Sequence, residues 1–290
     1  MMDNFLLQLL NGLVTSMLLF IMAAGLSLIF GQMRVINLSH GAFYLVGGYM
    51  GLTAVKQWGA FWPALLLTPL LVGAMGWLAE QFLLRGRYGR ERQLQQVLLT
   101  FGVALVLSDL AEWRWGAYTQ TVPPPVFLAT AVPLFGLQFP LYRLAIIAMG
   151  LLLALALALF LGRTRLGAIL RAGVTHPHTV SGLGIDVERV FAATFAGGVA
   201  LAALAGILGS PITTLYPGLD FEILILTIVV VVIGGLGSLR GAFVGALLIG
   251  LTDTFGKARL PEFSLFLIFA VMAVVLLVRP SGLFGVEEGH

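Results

Sequence analysis

The sequence predicts an all-α fold, a polytopic bundle of about eight to nine transmembrane helices, and three observations support this prediction. Hydrophobic residues occupy 59% of the 290 positions and charged residues only 10%, which leaves too little polar surface for a water-soluble domain of this size. The mean hydropathy is +1.02. The apolar runs have the length of spanning helices and lack the polar–apolar alternation of a membrane β-barrel. We expect residues 1–290 to form a single transmembrane domain.

Nine apolar segments are candidate membrane spans. The first has an acidic residue and no basic residue before its apolar run, which favours a retained span over a cleaved signal peptide. The second, seventh and eighth segments are short, so the glycine-rich breaks beside them predict broken or re-entrant helices. In chain order the segments are residues 6–30, 42–55, 63–84, 94–113, 141–161, 191–208, 223–233, 242–255 and 263–278.

The connection between the fourth and fifth segments is rich in proline. Trp113 and Trp115 mark its beginning, as expected where a helix reaches the membrane–water boundary. Because proline cannot donate a backbone hydrogen bond, we expect this connection to be an irregular exposed loop.

Basic residues concentrate on one set of alternating loops. By the positive-inside rule this set is cytoplasmic, which places the N-terminus outside and the C-terminus in the cytoplasm. The net charge of +3 is small and follows the loops, so it favours orientation in a membrane over nucleic-acid binding. The cytoplasmic set is Arg34, Arg85, Arg87, Arg90, Arg92, Arg163, Arg165, Arg171, Arg189, Arg240 and Arg279, and the other set is Lys56, Arg114, Arg143, Lys257 and Arg259.

Two breaks between apolar segments lie on the predicted cytoplasmic face. GQMRVINLSHG contains Asn37, Ser39 and His40, and GGLGSLRG is rich in glycine. Each break ends in a similar sequence, SHGAF or LRGAF, which indicates duplicated halves unless the similarity is accidental. Discontinuous helices free backbone groups and line substrate paths in transporters. The polar residues of the first break therefore have either a path role or a purely structural one.

Four acidic residues fall within the apolar segments, where a charge is costly unless it has a partner or a cavity. Asp109 and Glu112 lie three residues apart, with Arg114 as a partner for either; structural pairing is favoured, and contact with a solute is the alternative. Asp253 is expected to reach the membrane interface, and Glu80 to pair with the arginine cluster that follows it. Small residues spaced four apart, as in 47–51, 202–210 and 241–245, indicate close helix packing in the second, sixth and eighth segments.

The sequence carries no enzyme signature. It has no G-x-x-x-x-G-K-[ST] phosphate loop, no nucleophile elbow and no HExxH motif. It contains no cysteine, and His176 and His178 have poor spacing for a metal site. We therefore expect no catalytic residues and no metal, which leaves a channel or a transport subunit without a motor of its own.

A polar loop of residues 162–190, GRTRLGAILRAGVTHPHTVSGLGIDVERV, separates two apolar segments. Its apolar residues recur at helical spacing over two short pieces, and Gly173 and Gly184 are natural helix stops. Such amphipathic pieces are too small to fold alone. We expect them to be held against another protein.

Four motifs in this order resemble the branched-chain amino acid permease family of ABC importers, and its LivH-type subunit in particular: GQMRVINLSHGAFYLVGGYMG, LLTFGVALVLSDLAEWRWG, LRAGVTHPHTVSGLGIDVERV and VVIGGLGSLRGAFVGALLIG. The resemblance implies a permease in a bacterial inner membrane. It also implies a homologous LivM-type permease partner, two cytoplasmic ATPases that bind ATP and Mg²⁺, and an extracytoplasmic solute-binding protein. No cofactor is expected in this chain, whose other surroundings are the lipid bilayer.

Topology and this resemblance together predict two groups of functional residues. The loop 162–190 becomes the coupling element that docks on an ATPase, although Thr175-His176-Pro177-His178 departs from the acidic stretch usual in the family. The predicted coupling residues are Leu170, Arg171, Gly182, Leu183 and Gly184. The predicted path residues are Asn37, Ser39, His40 and Thr100, with Gly234, Gly235 and Gly237 permitting the second break.

The alternative function is a self-contained channel or an ion-coupled secondary transporter for a small solute. Such proteins also use broken helices with polar groups nearby. They do not need a basic amphipathic docking loop, and this loop is the feature that favours the ABC importer.

Overall fold

The computed structural model describes residues 2–34, 36–59, 61–85, 92–134, 136–175, 182 and 184–285. Ten helices make up most of this described part, which confirms the prediction of an all-α polytopic bundle. They are α1 (Met2–Met33), α2 (His40–Trp58), α3 (Phe61–Ala79), α4 (Gln93–Trp115), α5 (Leu141–Arg163), α6 (Arg165–Thr175), α7 (Val187–Gly209), α8 (Leu219–Gly234), α9 (Leu239–Arg259) and α10 (Ser264–Val278).

Each of the nine apolar segments predicted as a span is helical. By length and composition, seven described helices can cross a membrane, namely α1, α3 with its π-helical last turn (Glu80–Leu84), α4, α5, α7, α9, and α10 with the short 3₁₀ turn before it. The eighth predicted segment is longer than expected, because α9 continues to Arg259. The second and seventh segments correspond to α2 and α8. With 16 residues, α8 is about 24 Å long, short of the roughly 30 Å hydrocarbon core.

The proline-rich connection contains a β-hairpin, so the prediction of a wholly irregular loop was wrong. Strand β1 (Ala131–Leu134) pairs antiparallel with β2 (Leu137–Pro140). A two-stranded hairpin has two free edges, and a proline is tolerated where its missing N–H would face outward. Phe139 from β2 is buried in the core.

Helix α1 lies at the centre of the bundle. It packs against α9, α7, α5 and α8, while α2 packs between α7, α3 and α4. Phe20 of α1 packs edge-on against Phe243 of α9, with 5.2 Å between the ring centroids. Helices α3, α4, α5 and α10 keep large apolar side chains exposed, as expected of surfaces that meet lipid or another subunit.

Small residues bring the inner helices into backbone contact. A Cβ atom added at Gly47 would lie 2.5 Å from the Cα of Ala203, and one added at Gly206 would overlap the carbonyl oxygen of Tyr44. Gly241 of α9 faces Gly234 of α8 in the same way. The small-residue spacing of α2, α7 and α9 is therefore a packing feature, which confirms that interpretation.

We predict that Gly206→Ala destabilises the protein because the new methyl group meets the backbone of α2, and such overpacking costs about 1–3 kcal/mol. Thermal unfolding in mild detergent measures the effect. Gly197→Ala is the matched control on the same helix, since a Cβ there meets no atom within 4 Å. Equal melting temperatures for the two variants would contradict the assignment of α2–α7 as a close backbone contact.

Candidate functional site

The first break folds back into the bundle. Helix α1 ends at Met33, Arg34 takes a positive φ of 52°, and α2 begins at His40. The His40 imidazole Nε2 lies 3.0 Å from the carbonyl oxygen of Met22, about three helical turns before the end of α1. His40 therefore lies beside the middle of α1, and α2 begins inside the bundle, as the sequence predicted for a broken helix.

Three of the predicted path residues form a buried hydrogen-bond network at this break. The Oδ1 of Asn37 accepts hydrogen bonds from the Ser39 backbone N–H at 3.1 Å and from the Ser39 hydroxyl at 2.5 Å. Thr100 of α4 reaches the same segment, since its hydroxyl oxygen accepts from the Leu38 N–H at 3.2 Å. These contacts satisfy backbone groups that the break frees. The side chains of Asn37, Ser39, His40 and Thr100 are at most 2% exposed.

Two nitrogens at this break keep unused hydrogen-bonding capacity. Because a carbonyl oxygen only accepts, the His40 Nε2 donates to Met22. The His40 Nδ1 and the Asn37 Nδ2 are buried without a hydrogen-bond partner. The structure therefore brings the four predicted polar residues together. Their contact with a solute stays a prediction.

The second break depends on glycine backbone conformation. Gly235 and Gly237 have φ values of 101° and 79°, in the left-handed region that glycine adopts without strain. Gly234 packs against Gly241, and Gly237 packs against Gly31 of α1. The two breaks therefore meet at the Gly31–Gly237 contact.

The C-terminal segment covers the second break. The backbone N–H groups of Leu283 and Phe284 donate to the carbonyl oxygens of Ile233 and Gly234 at 2.8 and 2.9 Å. These bonds satisfy carbonyls at the end of α8 that the helix itself leaves free. The sequence analysis did not predict this contact, because no residue pattern in the segment 279–285 indicates that it packs on the end of α8.

The predicted coupling loop contains one described helix, α6. Its start is held to α5 through Thr164, whose hydroxyl accepts a hydrogen bond from the Gly167 N–H at 3.0 Å and donates one to the Phe160 carbonyl oxygen of α5 at 2.6 Å. Leu170 is half-buried, and Gly182 and Gly184 are exposed. Gly184 has a φ of 79°. Leu183 and the Arg171 side chain lie outside the described residues, as do His176 and His178.

An ion pair anchors the end of this loop to α3. The Arg85 guanidinium, just after α3, lies 2.6 Å from the Glu188 carboxylate at the start of α7. This hydrogen bond raises the pKa of Arg85 above its usual value. Asp186 caps α7 by accepting from the Arg189 N–H at 3.1 Å. The sequence signal for this helix start was available, since acidic residues favour helix N-termini. It did not identify Arg85 as the ion-pair partner of Glu188.

The expected pairing of Asp109 and Glu112 with Arg114 was wrong. Among the described residues neither carboxylate has an ion-pair partner, and the Arg114 guanidinium lies over the Trp115 ring at 5.6 Å. Residues two and five apart point to different faces of a helix, whereas residues three and four apart are neighbours. Asp253 and Lys257 are four apart and do pair, at 2.7 Å.

The described residues contain no group of three His, Asp or Glu side chains that could hold a metal ion.

The comparison with protein families decides the assignment. A family model described as "Branched-chain amino acid transport system / permease component" matches residues 8–276. The chain belongs to this permease family. The resemblance carried by the four sequence motifs is thereby confirmed, and the permease is a multi-pass membrane protein.

Relatives cover the whole length of the permease. The high-affinity branched-chain amino acid transport system permease protein BraD of Pseudomonas aeruginosa is 28% identical, over 98% of this chain and 97% of its own. The LivH permease protein of Escherichia coli K12 is also 28% identical, over 98% and 96%. The LivM permease protein of the same organism is 26% identical, over 92% of this chain and 68% of its own. No solved structure matches the permease.

Proposed function

We propose that the permease is one of two membrane subunits of an ABC importer for branched-chain amino acids or a related small solute. Its relatives are named as permeases of high-affinity branched-chain amino acid transport systems. The observation that carries the proposal is the match to this family over residues 8–276. The anchored loop 162–190 supports it, because α6 is joined to α5 at one end and the Arg85–Glu188 ion pair holds the other.

The second membrane subunit is a LivM-type permease, homologous to this chain. Support comes from the similarity of the chain to both LivH and LivM proteins. Two cytoplasmic ATPases bind ATP and Mg²⁺ and supply the energy, and an extracytoplasmic binding protein delivers the solute. The chain itself, one transmembrane domain of residues 1–290, has no catalytic residues and no cofactor.

The orientation follows from charge. The loops that carry most basic residues face the cytoplasm of a bacterial cell. The N-terminus then lies on the outer side of the inner membrane and the C-terminus lies in the cytoplasm. Both breaks and the coupling loop then lie on the cytoplasmic side, where ATPases bind.

The two breaks form the moving part of the path. ATP binding shifts the coupling residues Leu170, Arg171, Gly182, Leu183 and Gly184, and α6 transmits this shift to α5. Rocking of the bundle exposes the path to alternate sides. The path is lined by Asn37, Ser39, His40 and Thr100. The second break can change conformation with the first because it contains Gly234, Gly235 and Gly237.

A second candidate function is a channel or an ion-coupled secondary transporter. The buried nitrogens of Asn37 and His40 that have no hydrogen-bond partner, beside a helix that begins inside the bundle, favour it. Unlike the first candidate, it requires no ATPase.

Purification from the native membrane in mild detergent separates these two functions. We expect mass spectrometry to find a second hydrophobic permease and an ATPase with a phosphate loop, because the chain has no motor of its own. A chain that arrives alone and moves leucine into liposomes without ATP would establish the second function and refute the first.

We predict that Gly184→Ala uncouples transport. The residue has a left-handed φ of 79°, where a side chain costs about 1–2 kcal/mol, so the loop changes conformation and leucine uptake falls about three- to tenfold. The readouts are ATP-driven uptake by the assembled complex and recovery of the complex. Gly162→Ala is the matched control, since a Cβ there meets no atom within 4 Å. Unchanged uptake by Gly184→Ala counts against a coupling role.

We predict that the Asn37→Ala, His40→Ala double variant loses at least about tenfold in leucine uptake, since two buried hydrogen-bonding groups of roughly 1 kcal/mol each disappear. His40→Gln retains a donor for the Met22 carbonyl and is expected to keep more activity. Uptake is compared at equal amounts of assembled complex, so that a folding defect is recognised. Normal uptake by the double variant would refute the path assignment.

A further inference from the structure

One face of α4 turns toward the start of α8. Phe101, Ser108, Glu112 and Trp115 are spaced by seven, four and three residues, so they share this face. The Ser108 hydroxyl donates a hydrogen bond to the Asp220 Oδ2 at 2.6 Å. The Phe101 ring meets the Phe221 ring with centroids 6.3 Å apart. The face is therefore in side-chain contact with the first turn of α8.

Two buried oxygens at this contact have no hydrogen-bond partner. Asp220 is 2% exposed and Tyr49 is 1% exposed, yet the Asp220 Oδ1 and the Tyr49 hydroxyl are both unpartnered. The Tyr49 ring stacks on Trp115, which shares the α4 face with Ser108 and Glu112. A buried polar group without a partner costs about 1–3 kcal/mol, so two such oxygens at this contact point to a missing ligand.

The negative charge of this cluster is also uncompensated within the described chain. Glu112 is exposed and has no ion-pair partner there. A carboxylate on a spanning helix avoids lipid and faces water or a partner. The α4 face that carries Glu112 therefore borders an aqueous space or a second subunit rather than acyl chains.

Aromatic rings border the same cluster. The Tyr49 ring stacks on the Trp115 ring, with centroids 5.1 Å apart and planes inclined by 12°. The Trp115 indole N–H donates to the Thr53 hydroxyl at 2.7 Å, which fixes the ring. Carboxylates beside aromatic rings suit an organic cation, since rings attract cations and a divalent metal requires six or more oxygen ligands.

We propose that Glu112, Asp220, Ser108 and Tyr49 bind the primary ammonium group of the transported solute. An ammonium group has three donors and no acceptor. The free Asp220 Oδ1, the Glu112 carboxylate and the Tyr49 hydroxyl oxygen are acceptors of the matching kind. This site rests on the proposed function and adds to it a basis for recognising amino acids.

The test uses single cysteines, because the chain has none of its own. Ser108→Cys is placed in the complete transporter, with partner cysteines removed, and reconstituted in liposomes. Its reaction with 2-aminoethyl methanethiosulfonate, a water-soluble cation, is compared with that of Leu110→Cys. Leu110 is 51% exposed on the same helix but lies on a different face.

Ser108→Cys is expected to react at least about tenfold faster than Leu110→Cys, because a thiol in lipid is neither ionised nor accessible to the reagent. Isopentylamine and leucine, which carry the ammonium group, slow the reaction. 4-Methylpentanoate, which has the branched chain and a carboxylate but no ammonium group, does not. Equal reaction rates at the two positions, or protection by 4-methylpentanoate equal to that by isopentylamine, overturn the site.

Charge removal supplies the second arm. In the Ser108→Cys background, Glu112→Gln is expected to raise the isopentylamine concentration needed for protection by about tenfold, as loss of a charged hydrogen-bond partner does. Asp109→Asn, an exposed acid on the same helix that is not part of the proposed site, is the control. An unchanged concentration in Glu112→Gln overturns the proposal, as does protection by sodium or calcium ions alone. Protection by isopentylamine without protection by leucine would support the ammonium-binding site but would refute leucine as the transported solute.

Discussion

Close contact between helix backbones is the interaction on which this structure depends. Lipid tails are as apolar as leucine side chains, so helices in a membrane gain little from burying apolar surface and associate through dense packing. Gly47 and Gly206 bring α2 against α7, and Gly241 brings α9 against Gly234 of α8. Where a side chain larger than hydrogen would separate the helices, the sequence has glycine. The inner helices thus form a rigid centre around α1.

This rigid centre makes the two breaks possible. A backbone that leaves its helix inside a membrane must find partners for its N–H and C=O groups. At the first break Asn37 and Thr100 supply them, and at the second break the segment 279–285 does so. Each break is therefore held by residues from distant parts of the chain. A small shift of α4 or of the C-terminal segment would change the partners, which is the kind of discrete rearrangement that alternating access requires.

The acidic residues of the described chain fall into two groups, those that form ion pairs and those that do not. The Arg85–Glu188 ion pair holds the C-terminal end of the loop 162–190 to the end of α3, and Asp253 pairs with Lys257 within its own helix. Glu112 and Asp220 lack a basic partner in the described chain. The paired acids connect parts of the fold, whereas Glu112 has no ion-pair partner and the Asp220 Oδ1 has no hydrogen-bond partner. The contrast separates structural acids from those that the proposed solute site employs.

The sequence alone determined the helical class, the nine apolar helices, the positions of the two breaks and the small-residue contacts, and its four motifs identified the family. These features depend on local composition and spacing, which a chain displays without being folded. Only the tertiary structure decided which groups meet. It brought Thr100 to Leu38, placed the C-terminal segment on the second break, paired Arg85 with Glu188, and left Arg114 away from Asp109 and Glu112. It also joined Ser108 to Asp220, a residue that the sequence analysis did not single out. Such contacts join residues 50 to 112 positions apart, and their distances depend on how the helices pack, which no local pattern records.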